Sequence, residues 1–473
     1  FLSNRLFLLN LAAIYTTGFE CPDPESILPE LRSMLENVQE IYHTYNLSFP
    51  GKPVKPQYFE LYAKTISYVK QQSPIHHQFN HFEFIKNYVN PLVSMNQQMI
   101  REYGVYSTSY NDYSLSNISN SIFEKSLFKG QNPKGVFYAL RDENILAEIK
   151  ETGKLLFYDP ILSANSKRSC VSCHKPAEYF TDTINTTALK FDRTTPLPRN
   201  TPSLINITYN HLANHDGKHF TLQNQAKDVL TNPHEMGADR EELLKRVLSC
   251  NDYKAAFKKF AALTPHTKTI SIDHIVSALT LYYSDFSNYY APFDLAIDKN
   301  QPINSEVVTG FNLFMGKAQC GTCHFVPQFN GVKPPYIGSE FEVIGVPESN
   351  NFARLSPDKG RFDIYPAKET LNAFRTGTVR NSSYTKPYMH NGVFKTLEEV
   401  IDFYDAGGGV GKGLQVENQT LSSDSLKLTP SEKKALLAFI GSLNESIPFP
   451  KPPEKHPASK IKNLNSRKIG GAY

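Results

Sequence analysis

The pentapeptide Cys-x-x-Cys-His occurs twice in this 473-residue chain, as Cys170-Val171-Ser172-Cys173-His174 and as Cys320-Gly321-Thr322-Cys323-His324. Two thiols held two residues apart can add across the two vinyl groups of a porphyrin. A His attached directly to the second thiol then reaches the iron from the same side. A zinc half-site, a redox thiol pair or disulfides could account for one copy, but not easily for two copies with the His in place each time. The chain is therefore expected to carry two covalently bound haem c groups. Cys170, Cys173, Cys320 and Cys323 would be the attachment points, and His174 and His324 the proximal iron ligands. A porphyrin takes the place of much apolar core, which suits a chain with 31 Pro and 25 Gly and many loops.

The repetition extends beyond the motifs. Gly153-Lys154-Leu155-Leu156-Phe157 precedes the first and Gly310-Phe311-Asn312-Leu313-Phe314 precedes the second. Both fit a helix that packs Leu and Phe on the porphyrin while Gly allows close approach. Downstream, Arg199-Asn200 leads to His215-Asp216-Gly217 and Thr221, and Arg380-Asn381 leads to His390-Asn391-Gly392 and Thr396. The spacing from His to Gly and from His to Thr is the same in both. These matches predict a mainly α fold of two pseudo-duplicated c-type cytochrome domains, over residues 129–300 and 301–450. A helical N-terminal domain over 1–128 has no cofactor motif. The Pro- and Lys-rich stretch 451–473 is expected to be disordered.

Helical periodicity marks residues 27–38, 57–69 and 82–99 in the N-terminal part, and 148–158, 241–260, 272–286 and 429–443 beyond it. Thr429-Pro430-Ser431-Glu432 is a strong helix start. Residues 7–15 are apolar but too few to span a bilayer, and read as a buried helix. His76, His77 and His81 cluster in sequence; a solvated helix face or loop explains them more simply than a metal. Residues 107–121 read as a linker or surface loop. Cys21 and Cys250 lie outside the motifs, and fit either a disulfide or two unpaired thiols. With 50 basic and 46 acidic residues and a net charge of +4, the chain gives no argument for binding nucleic acid. Covalent haem attachment takes place outside the bacterial cytoplasmic membrane, so the expected location is the periplasm. The chain begins at Phe1 without a visible leader.

Two Cys-x-x-Cys-His motifs, Asn232-Pro233-His234-Glu235-Met236 and Thr385-Lys386-Pro387-Tyr388-Met389-His390-Asn391-Gly392 together resemble the bacterial di-haem cytochrome c peroxidase family. That family includes the di-haem enzymes that mature methylamine dehydrogenase. The resemblance covers roughly residues 140–445 and leaves the N-terminal part out. It implies a peroxidatic haem at His174 that reduces hydrogen peroxide, and an electron-transfer haem at His324 fed by a small periplasmic donor, a cytochrome c or a cupredoxin. A calcium ion would lie between the domains, with Asn200, Thr385 and Pro387 as ligands. Gln225 and Glu235 match a Gln and a Glu that line the family's peroxide pocket, where a carboxylate can shuttle a proton between the two peroxide oxygens. The resemblance leaves open two rival functions: peroxide-driven oxidation of a partner protein, and non-enzymatic electron carriage. It also leaves open a homodimer.

The chain departs from the family pattern in two places. A His about sixteen residues after the first motif often blocks the peroxidatic iron; here position 190 is Lys, and no His occurs between His174 and His211. The first iron is therefore expected to be open at rest. The family's Trp between the haems is replaced by His215, and the chain has no Trp at all; His215 would be a weak electron relay. The sixth ligand of the second haem is assigned to Tyr404 by its spacing from Thr385-x-Pro387. Met389 and Met315 are the alternatives, and both are more simply core residues.

Overall fold

The computed structural model describes every residue except 20, 22, 109–114, 129, 266, 267, 288, 472 and 473. The fold is mainly helical, and two-residue strands, Phe341–Glu342 and Phe374–Arg375, form the one sheet among the described residues. Two helix pairs organise the rest. Glu143–Tyr158 packs on Ile272–Tyr283, and Ser305–Met315 packs on Pro430–Ser442. Their starts are written in the sequence. The Asp142 carboxylate accepts from the backbone of Asn144 and Ile145, and Thr429 and Glu432 form a capping box.

Each pair meets at a glycine. A methyl group on Gly153 would overlap the Ala278 carbonyl, and one on Gly310 would overlap the Ala435 carbonyl. The repeated Gly thus serves close contact between helix backbones, whereas the sequence pattern suggested an approach to the porphyrin. Below the glycines, Phe157 and Phe314 are buried.

The segments after the two motifs repeat the same backbone. Asn206 and Asn381 are both left-handed, with φ of 57° and 60°, and each leads into a 3-10 turn, Ile207–Tyr209 and Ser382–Tyr384. Asn214 and Met389 share a positive φ (68° and 66°), as do Gly217 and Gly392 (65° and 67°). Thr221 and Thr396 then cap the helices Leu222–Thr231 and Leu397–Asp405. The structural counterpart of Asn381 is therefore Asn206 and not Asn200: nine residues separate Asn206 from His215 and Asn381 from His390. The Arg-Asn dipeptide at 199–200 matches Arg380-Asn381 in composition only.

Residues 1–128 form the helices Leu2–Ala13, Ile27–Ser48, Pro56–Gln71 and Asn90–Glu102. The expected helix over 82–99 is interrupted by a π-helical turn, Ile85–Val89, just ahead of Pro91, which has no N–H to keep the α register. Leu8, Leu9 and Leu11 are fully buried, as expected for a short apolar helix, and no helix of the described residues is long and apolar enough to cross a membrane. This part has no separate core. Its apolar side chains merge with those of residues 289–443, while residues 137–286 and Leu464 make a second core. Phe82 packs on Phe293 and Phe311, and its N–H bonds Asn312 Oδ1 at 2.9 Å. His81 is fully buried with Nδ1 against the Thr16 hydroxyl, so it is not on the solvated face expected for it. Of the expected linker, residues 109–114 lie outside the described residues; Ser119 and Ser121 are buried.

The tail corrects the expectation of disorder. Residues 451–471 return to the first motif as an ordered strap that includes the 3-10 turn Lys462–Ser466. Arg467 grips Asp159 with two bonds of 2.6 and 3.0 Å, and Gly470 receives the hydroxyls of Ser169 and Ser172. The strap also breaks the helix expected over 241–260 into Arg240–Leu248 and Asn251–Ala262: Cys250 turns extended and pairs with Ser459. Cys21 and Cys250 are free thiols. The strap is held by single polar anchors and by Leu464, not by a periodic apolar face, which is why composition pointed the wrong way.

The Arg467 and Asp159 side chains are 2% and 0% exposed, and removing one partner of such a pair typically costs about 3–5 kcal/mol. Arg467→Ala is therefore expected to lower thermal stability by about that amount in calorimetry. An unchanged transition would mean that the strap is not docked in solution.

Candidate functional site

The two motifs are built alike. Each begins with a 3-10 turn, Cys170–Ser172 and Cys320–Thr322, which lets the His backbone bond the first Cys carbonyl at 2.9 Å. His174 Nδ1 lies 3.0 Å from the Phe180 carbonyl; His324 Nδ1 lies 3.2 Å from that of Phe329 and 3.0 Å from that of Gly377. Donation from Nδ1 fixes the tautomer and leaves the Nε2 lone pair for a metal. Burial pushes the Cys170 and Cys320 thiols up to about 12 and lowers both His values. Paired, unionised thiols beside a neutral imidazole fit haem attachment, and fit a zinc site poorly; among the described residues no group of three or more His, Cys, Asp or Glu could hold a metal.

Near the first motif, Gln225 lies on the helix Leu222–Thr231 and Glu235 in the turn that follows it. Asn232 Nδ2 donates to Glu235 Oε2 at 2.8 Å. Burial raises the Glu235 pKa above the usual carboxylate range, and the charge of Asp228 adds to the rise; Asn232, Arg168 and Lys218 oppose it. Asp228 holds Lys218 and His219 at 2.8 and 2.9 Å. Lys190 sits in a small hairpin closed by the bridge from Leu189 to Pro196. Its carbonyl accepts from Arg168, and the next residue, Phe191, donates to the His234 carbonyl at 2.7 Å.

Near the second motif, Tyr404 ends the helix Leu397–Asp405. Burial raises its hydroxyl pKa, and the nearby Cys323, Cys320 and Glu342 raise it further. Met389 is half-buried in the hairpin that faces the other unit. Met315 is fully buried with its sulfur against Gly321, as a core residue. Glu342 had no signal in the sequence. It lies on the Phe341–Glu342 strand, which is too short to show periodicity, and burial raises its pKa.

Between the units, Asn200 reaches the segment 385–390. Its Nδ2 donates to the Pro387 carbonyl at 2.8 Å and its N–H to that of His390 at 2.7 Å, while the buried Oδ1 has no partner. An unsatisfied amide oxygen beside a backbone carbonyl fits a hard cation such as calcium. Thr385 is in the same segment, bonded through its own N–H to Ser382. His215 lies against the Asn200 carbonyl; burial, then Arg199 and Arg375, lower its pKa to about 4, so it is neutral.

Comparison with known proteins places the chain among relatives of one family. The family model for the di-haem cytochrome c peroxidases matches residues 147–302. A cytochrome-c peroxidase IdrP2 of Denitromonas iodatirespirans is 30% identical over 325 residues, which cover 63% of this chain and 82% of that protein. The methylamine utilization protein MauG of Methylorubrum extorquens is 30% identical over 293 residues, 62% of this chain and 76% of that one. Among solved structures, a MauG-like protein associated with microbial copper homeostasis superposes with a TM-score of 0.55 at 25% identity, over 72% of this chain and 96% of that one.

Asp228→Asn removes a like charge near Glu235, so Glu235 should ionise at lower pH. The carbonyl stretch of the protonated carboxyl, taken as an infrared difference against Glu235→Gln, reads the midpoint. A midpoint that stays put would show that solvent screens Asp228 from Glu235.

Proposed function

Because the chain belongs to the di-haem cytochrome c peroxidase family, we propose that it reduces hydrogen peroxide to water with electrons from a small periplasmic donor, a cytochrome c or a cupredoxin. The carrying observation is Glu235: a half-buried carboxyl with a raised pKa, held by Asn232 in the turn that Arg168, two residues before the first Cys-x-x-Cys-His motif, bonds. Each turnover takes one peroxide, two electrons and two protons and gives two waters. Bound haem iron supplies the electrons that break the O–O bond. Glu235 takes the proton from the inner peroxide oxygen and gives it to the outer one, which leaves as water. Gln225 holds the peroxide by hydrogen bonds. Glu235 must be ionised to accept the proton. Because its pKa is raised, the reaction should slow as pH falls through that raised value. A non-enzymatic electron carrier would need no such group.

In this reading two haem c groups are bound through Cys170, Cys173 and His174, and through Cys320, Cys323 and His324. Lys190 stands where relatives can place a blocking His, which leaves the first iron open at rest. Tyr404 would be the further protein ligand of the second haem, a role supported by its nearness to Cys320 and Cys323. A phenolate there favours the ferric state and lowers the potential. Calcium is held by Asn200, Thr385 and Pro387. His215, a neutral imidazole, carries direct tunnelling and not a hop. The matching backbones after the two motifs support an origin by duplication, with units over 129–300 and 301–450. Residues 1–128 are an extension that packs on the second unit.

A second reading is peroxide-driven oxidation of a partner protein. It is favoured by Tyr404, because a second haem with phenolate ligation is suited to storing an oxidising equivalent.

Glu235→Gln keeps shape and hydrogen bonding but accepts no proton. Stopped-flow mixing with peroxide should show a reaction slower by about two orders of magnitude or more, since a positioned acid–base group is worth ~10²–10⁴-fold. A reaction at the parent rate would remove Glu235 from the mechanism and favour the electron carrier.

The all-ferric protein should give one high-spin and one low-spin paramagnetic signal, and Tyr404→Phe should change only the low-spin one. An unchanged low-spin signal would transfer the ligand role to Met389.

A further inference from the structure

We propose that Arg168 is a positioning residue for the first site, fixing the Glu235 turn and the 189–196 hairpin against the Cys170–His174 motif, with the C-terminal strap holding it in place. The proposal rests on the reading of Glu235 as the acid–base group.

Arg168 is two residues before Cys170 and 4% exposed. Its Nη1 donates to the Glu235 carbonyl at 3.0 Å and its Nη2 to the Lys190 carbonyl at 2.7 Å. One planar guanidinium thus joins the turn that carries the carboxyl to the hairpin beside it, and its face lies over the Phe191 ring. The Phe191 N–H bond to the His234 carbonyl closes the third side of this triangle. The backbone of Arg168 is fixed in turn. Its N–H meets the Ser163 hydroxyl at 3.1 Å, and it bridges Gly471 of the strap. Gly470 accepts from Ser169 and Ser172 and donates to the Tyr158 carbonyl at 2.8 Å.

The physical need follows from proton transfer. The Glu235 carboxyl can serve peroxide only within hydrogen-bond reach, and a displacement of about 1 Å can cost ~10²-fold in rate. A bond to the Glu235 main chain sets the position of the carboxyl without touching the reacting atoms. Lys carries the same charge, but its compact ammonium on a flexible stem lacks the rigid planar fork that sets two carbonyls at fixed positions.

The test compares the holoenzyme with Arg168→Lys, Glu235→Gln and the double variant. Arg168→Lys should slow the peroxide reaction about tenfold to a hundredfold, and should slow the Glu235→Gln enzyme no further, because both act through one group. Arg168→Gln should also move the acidic limb of the pH profile upward, since the Arg168 charge lowers the Glu235 pKa. Arg168→Lys should leave that limb in place. Independently of activity, amide hydrogen exchange over 190–195 and 235–237 should speed up in Arg168→Lys. A parent rate for Arg168→Lys overturns the proposal, as does equal slowing in both backgrounds. A parent rate for Glu235→Gln instead defeats the reading of Glu235, whatever Arg168 does. If Arg168→Lys does not take up haem, Gly471→Ala decides. Its methyl would overlap the Lys167 carbonyl at a φ of 77°, so the strap should lift and the rate should fall; an unchanged rate overturns the role of the strap.

Discussion

A buried carboxylate holds the two haem-motif units in register. Glu445 is 1% exposed and lies just beyond the helix Pro430–Ser442. Its Oε1 accepts from Asn206 and from Asn381, and its Oε2 accepts from the Tyr289 N–H at 2.6 Å. Its own N–H donates to Asn381 Oδ1 at 2.8 Å. Asn206 and Asn381 hold equivalent places in the two units, so one side chain reads both at once. A buried carboxylate is tolerated only with its lone pairs satisfied, and an incomplete set would be costly. Each Asn adopts the left-handed conformation that aims its amide at Glu445. Local backbone and long-range contact therefore select the same residue type.

Around this junction two arginines are paired with carboxylates, Arg375 bonds the uncharged oxygens of Asn210, Asn214 and Thr376, and the imidazoles of His215 and His390 are neutral. Arg199 lies between Asp216 and Asp358, and Arg380 is paired with Asp294, with both side chains of the latter pair fully buried. Such pairs add little net stability over apolar packing, but they specify which surfaces meet. His390 stacks on Phe374 with ring centres 3.8 Å apart, and its pKa is lowered to about 3 by burial first of all. His215 is neutral for the same reason. The space between the two units thus carries fixed charge from Arg and Asp and none from His, so its field changes little across ordinary pH.

The two Cys-x-x-Cys-His motifs were legible because their chemistry is written in contiguous residues at fixed spacing. The helix at Pro430–Ser442 was legible from Thr429 and Glu432, since a capping box is local chemistry. The helix break at Cys250 was not. It depends on Ser459, which lies 209 residues away and pairs with it across the strap. The same holds for Arg168: its side chain acts on carbonyls, and carbonyls carry no residue identity for a sequence pattern to show. The correct match of Asn206 to Asn381 was present as a spacing from His215 and His390. It was hidden by the Arg-Asn dipeptide at 199–200, which shares composition but not place.

The two Cys-x-x-Cys-His segments are alike up to a point. Each motif His donates Nδ1 to a backbone carbonyl a few residues on, Phe180 for the first and Phe329 for the second. Farther along, both segments start a helix from a Thr cap, at Thr221 and Thr396. From there the side chains diverge. The first helix carries Gln225 and ends at Asn232, whose amide holds Glu235. The second carries Tyr404 in its last turn, near Cys320 and Cys323. In the proposed function, the Tyr404 phenol would close the second iron, whereas the Glu235 carboxyl, tied to Asn232, would leave the first one room for a small oxidant. On the proposed reading, the same backbone gives one site that reacts and one that passes electrons. The choice rests on a few side chains beyond each Thr cap.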